Sequence, residues 1–60
     1  MASPIMKFFE HDHLPLHLAV VASKVSDLAK EMDGLPDGPE KSAGLRKLLE
    51  AKDCFVRAAL

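Results

Sequence analysis

Four groups of residues in this chain are of types that could do chemistry. The first is His11, Asp12, His13 and His17. Imidazole and carboxylate are metal ligands, and His13 and His17 stand four apart, the spacing that puts two side chains on one helical face. Pro15 lies between them and marks a helix start, so that spacing need not be helical. No cysteine and no second cluster completes a ligand set, and the polar-connector reading is preferred; no metal is expected. The second is Cys54, whose neighbours Lys52 and Asp53 point in other directions on a helix. It reads as a buried or half-buried structural thiol. The third is Lys41, Ser42 and Arg46. Free N–H groups at a helix N-terminus attract anions, Lys41 adds a point charge, and Arg46 can hold phosphate through two parallel bonds. The competing reading makes these ordinary solvated residues. The fourth is Phe8-Phe9, which could stack on a planar ligand or pack an N-terminal arm onto the rest. No serine nucleophile signature, glycine-rich phosphate loop or carboxylate pair is visible, so an enzyme is not expected.

These side chains need elements to position them, and the pattern supplies helices only. Leu18, Val21, Ala22, Val25, Leu28, Ala29 and Met32 recur at three- and four-residue steps, one stripe of a helix beginning at Pro15. Gly34 could close that helix in a left-handed conformation. Two prolines and two glycines between Gly34 and Pro39 break it into a turn. Asp37 with Glu40 three residues on has the form of a capping box, with Pro39 in the first turn of a second helix. Leu45, Leu48, Leu49, Phe55, Val56 and Ala59 form its apolar stripe, widened by Ala51 and Ala58. Arg46 and Glu50 are spaced for an ion pair. Gly44 is costly inside a helix and suggests close approach of a backbone or ligand. The expected fold is all-α, one domain: an arm or short helix over 1–14, a helix over 15–33, a turn over 34–38 and a helix over 39–60, the two long helices forming an antiparallel hairpin.

Sixty residues with one cysteine leave a marginal monomeric core and no internal disulfide. Each long helix carries more apolar surface than one partner covers, so homo-oligomerisation is expected. A net charge of −1 creates no field for duplex DNA or RNA. No apolar run approaches the roughly 18 residues of a membrane span, and no signal segment is apparent. Cytoplasm of the host cell is the expected location.

The run Pro36-Asp37-Gly38-Pro39-Glu40-Lys41-Ser42-Ala43-Gly44-Leu45-Arg46-Lys47-Leu48-Leu49-Glu50-Ala51 resembles the signature of small phage proteins that act as cyclic-nucleotide sponges against CBASS and Thoeris signalling. Their pattern is a Pro-rich turn, Glu-Lys-Ser/Ala, two small or apolar residues, Leu, any residue, Lys-Leu, any residue, Glu-Ala and an Ala-rich end. Glu40, Lys41, Ser42, Leu45, Lys47, Leu48, Glu50, Ala51, Ala58 and Ala59 fit it, and the likeness covers about the last 25 residues. The resemblance implies a helical hairpin that assembles, often as a hexamer, and sequesters a cyclic oligonucleotide or cyclic ADP-ribose signal without cleaving it. It also implies a pocket between subunits near the turn, with Lys41, Ser42 and Arg46 as its contacts to phosphate and ribose. Pro39 stands where many members carry Arg, which leaves Lys41 or Arg46 to supply that charge. Relatives often carry aromatics after Glu-Ala, where this chain has Lys52, Asp53, Cys54 and Phe55. Outside the resemblance, the competing expectations are a protein–protein interaction module that binds a host or phage protein, and a purely structural oligomer.

Overall fold

A computed structural model describes residues 3–60. The expected arm's Met1 and Ala2 lie outside the described residues. The chain is all-helical: a 3-10 helix over Pro4–Phe9, then α1 over Leu16–Met32 and α2 over Pro39–Ala59. Ser42 accepts no cap role; its backbone N–H bonds back to the Gly38 carbonyl and so starts the helical ladder of α2. The early residues His13 and Leu14 share a depression with Lys52 to Arg57, whereas Leu28 and Met32 share one with Glu40 to Ala51. That reversal makes α1 and α2 an antiparallel pair.

The 3-10 helix, α1 and α2 each supply one residue to the core: Phe9, Ala29 and Leu45 are buried together, with Ile5, Met6, Val25, Leu48 and Leu49 packed around them. Ala29 lets the helices approach, and Phe9 fills the space this leaves on one side. Leu18 and Ala22 continue the buried line along α1. The buried line is narrower than the apolar stripes suggest. Leu28, Met32 and Phe55 are exposed, and Ser26 and Lys52 are buried. Phe55 and Ala59 thus fall outside the core.

Four local expectations are corrected. Asp37 does not cap α2: Gly38 is the N-cap residue and no side-chain cap bond forms. The Asp37 carboxylate accepts from Lys41 instead, since position 41 lies one turn on and carries a cation. Gly34 does not adopt a left-handed conformation, nor does any described residue. The end of α1 closes through Asp33 N–H on the Ala29 carbonyl, Gly34 N–H on Glu31 and Leu35 N–H on Met32. Gly44 meets no neighbour: a Cβ built there has nothing within 4 Å. Among the described residues, Arg46 and Glu50 form no ion pair, and no helix is long and apolar enough to cross a membrane.

Candidate functional site

The turn and the first turns of α2 hold most of the residues picked out from the sequence. Lys41 projects back into the turn, its side chain only 7% exposed. Its ammonium donates to the Asp33 carbonyl at 3.0 Å, the Leu35 carbonyl at 3.2 Å and the Asp37 carboxylate at 2.5 Å. The Asp33 carboxylate stands 3.4 Å away. All three N–H donors of an ammonium are therefore engaged within the protein. Bonding to Asp37 is the largest influence on Lys41 and holds its pKa above 10.5. Lys41 acts here as the bolt that closes the turn.

Asp33 is the other half of this bolt. Its carboxylate accepts the Ser3 backbone N–H at 3.0 Å and the Ser3 hydroxyl. These Ser3 bonds, side chain first, and then Lys41 hold its pKa below 3.8. One carboxylate thus joins the start of the N-terminal segment, the end of α1 and, through Lys41, the start of α2.

Ser42 and Arg46 are exposed one turn apart on α2. With no side-chain cap at Gly38, the first N–H groups of α2 keep no side-chain partner, which is the arrangement an anion can use. Glu40 in that first turn opposes an anion by its charge. Phe8 and Phe9 separate. Phe9 is 2% exposed and belongs to the core, whereas Phe8 faces outward with the Lys7 ammonium 5.2 Å from its ring centre.

One concavity is a groove that sequence reading did not locate. It encloses about 630 Å³ between α1, the turn and α2. Leu28, Met32, Leu35, Leu48 and Ala51 make its walls, Gly44 leaves a gap in one of them, and Glu40 and Lys47 stand among the lining residues. No residue of the 3-10 helix lines it. Successive helical residues step by about 100°, so Gly44 and Arg46 fall on opposite sides of buried Leu45. The groove and the Ser42–Arg46 surface are therefore different faces of α2. The surplus of the apolar stripes over the needs of one hairpin was the available signal for the groove.

The remaining candidates disperse. His11 Nδ1 lies 3.5 Å from the Phe9 carbonyl, and His13 and His17 are exposed. Among the described residues no three His, Cys, Asp or Glu side chains converge as a metal would need. Cys54 is exposed rather than buried, with Arg57 donating to its sulfur at 3.4 Å. Comparison with family models, with curated proteins and with solved structures found no match.

Proposed function

We propose that this chain is a phage-type anti-defence protein that sequesters a cyclic nucleotide immune signal in the cytoplasm of an infected cell, without cleaving it. The observation that carries the reading is the placement of the resembling segment. Residues Pro36 to Ala51 form the hairpin turn and the first three turns of α2, and they set Ser42 and Arg46 outward beside a helix start that lacks a side-chain cap. In this reading Arg46 holds a phosphate in bidentate fashion, Ser42 and the first N–H groups add donors, and exposed Phe8 offers a stacking face. Lys41 contributes by holding the turn in shape. Self-association through the apolar groove completes the sponge by bringing such surfaces together; a hexamer is the assembly the resemblance implies.

Isothermal titration with cyclic dinucleotides, cyclic trinucleotides and cyclic ADP-ribose isomers tests it. Saturable binding of at least one is expected, and Arg46→Ala should weaken that binding while leaving the circular dichroism unchanged. Absence of heat and of any thermal shift with the whole panel sinks the proposal.

The groove favours a second reading, a small interaction module that seats an apolar helix of a host or phage protein. Leu28, Met32 and Leu35 are exposed along that groove, and an apolar groove between two helices is the form of surface that takes the apolar face of a third. In that case the nucleotide panel gives no binding, and Leu48→Glu abolishes capture of a macromolecular partner.

A further inference from the structure

The 3-10 helix ends against two polar side chains that lie inside the protein. The Lys52 ammonium donates to the Phe8 carbonyl at 2.6 Å, and the Ser26 hydroxyl donates to the Phe9 carbonyl. Lys52 is 8% exposed and Ser26 is 1% exposed. Phe9 is buried in one cluster with Ala29 and Leu45, against which Val25, Leu48 and Leu49 of the long helices and Ile5 and Met6 of its own segment pack; the place its ring fills there is the Phe9 pit. A buried ammonium holds a full charge and three donors. Here its nearest partner is the oxygen of a neutral amide, and the Asp53 carboxylate stands 3.7 Å away on a half-exposed side chain. An anionic oxygen would satisfy that ammonium better than an amide carbonyl does.

The segment that supplies the carbonyls is lightly held. Phe9 is the only residue of Pro4–Phe9 that is fully buried, and with the partly buried Ile5 and Met6 it supplies the apolar contact that must offset the entropy of ordering the whole stretch. Side-chain hydrogen bonds decide the balance. At the far end they all fall on one group, the Asp33 carboxylate, which accepts both the N–H and the hydroxyl of Ser3.

We propose that the N-terminal segment is a displaceable plug over a binding site made by Lys52, Ser26 and the Phe9 pit. The site takes a small aromatic anion: its ring replaces the Phe9 ring, and its anionic oxygens replace the carbonyls of Phe8 and Phe9. Asp33 is the catch that keeps the plug in place. The proposal uses neither Ser42 nor Arg46; it shares only Phe8 with the sponge reading, and its test reads a different ligand.

The test is titration of the full-length, isotope-labelled protein with phenyl phosphate, followed by amide chemical shifts. Wild type, Ser3→Ala, Asp33→Ala and the double variant Asp33→Ala/Lys52→Gln are compared, with circular dichroism as the check on folding. A ligand that must wait for a minor open state binds in proportion to the open fraction. Ser3→Ala and Asp33→Ala should therefore bind at least about fivefold more tightly than wild type, with shifts at the Ala29 and Leu45 amides. Loss of the Lys52 ammonium should abolish that gain. Equal affinity in wild type and the catch variants overturns the proposal, as does a gain that survives Lys52→Gln. Where Asp33→Ala fails to fold, Ser3→Ala alone decides: affinity equal to wild type overturns the plug.

Discussion

Gly44→Ala should stabilise the monomer and weaken its self-association at the same time. Glycine inside a helix costs about 1 kcal/mol relative to alanine, chiefly through the freedom it adds to the unfolded chain. The methyl group has room, since nothing lies within 4 Å of a Cβ at this position. The full 1 kcal/mol should then appear as added stability. Sixty residues at about 2.1 cal/mol/K each give an unfolding entropy of about 0.13 kcal/mol/K, so the midpoint should rise by about 8 °C. A thermal melt followed by circular dichroism, at a dilution where light scattering gives the monomer mass, reads this. An unchanged or lower midpoint would refute the reasoning, because it would mean that the space beside Gly44 is occupied. The same methyl narrows the groove that Gly44 lines. If copies of the chain meet in that groove, the variant should shift toward monomer at concentrations where wild type is larger. A mass distribution identical to wild type would remove the groove from the interface.

Two further outcomes follow from the core and the turn. Leu45 is 2% exposed at the centre of the buried cluster, so Leu45→Ala should cost about 2–5 kcal/mol. A chain of this length has only about 3–9 kcal/mol of stability in all, and the variant should lose much of its helical signal near room temperature; retention of the full signal would show that the cluster is not the core. The Asp33 carboxylate has a pKa held below 3.8 in the folded state, so its contribution is fully present above 3.8 and is lost as pH falls through the lowered value. The gap in melting midpoint between wild type and Asp33→Asn should therefore close at acid pH. Lys41, with its pKa raised above 10.5, acts in the opposite sense: its contribution is present below 10.5 and is lost as pH rises through the raised value. A gap that widens on acidification would contradict the Ser3–Asp33 contacts.

The helices were legible in the sequence because two signals agree. The steps through Leu18, Ala22 and Ala29 match one helical face, and the glycines and prolines from Gly34 to Pro39 forbid continuity. The capping of α2 was misread because Asp37 has two suitors. The N–H groups after it favour a cap, but Lys41 sits one turn on and brings a charge, and it takes the carboxylate. The faces were less legible. Leu28, Met32 and Phe55 have core-type side chains and remain exposed, whereas Ser26 and Lys52 have surface-type side chains and are buried. For Leu28, Met32, Ser26 and Lys52 the cause is the docking of the Pro4–Phe9 helix on one side only. Its carbonyls supply the partners that make burial of Ser26 and Lys52 tolerable, and its absence from the other side leaves the groove open. Short-range periodicity carries no information about which side a third element chooses. Lys52 was still traceable in part, since it stands two turns beyond Leu45 on the same face.

The most direct test of the sponge proposal is recovery of the ligand. The protein is mixed separately with a cyclic dinucleotide, a cyclic trinucleotide and a cyclic ADP-ribose isomer, and passed through a filter that retains only protein. The retained fraction is heated to unfold the chain, and the released small molecule is identified by mass spectrometry. The proposal predicts that at least one ligand stays with wild type and leaves it chemically unchanged, and that Arg46→Ala retains much less. Passage of every ligand straight through the filter, or release of a cleaved product, would contradict it.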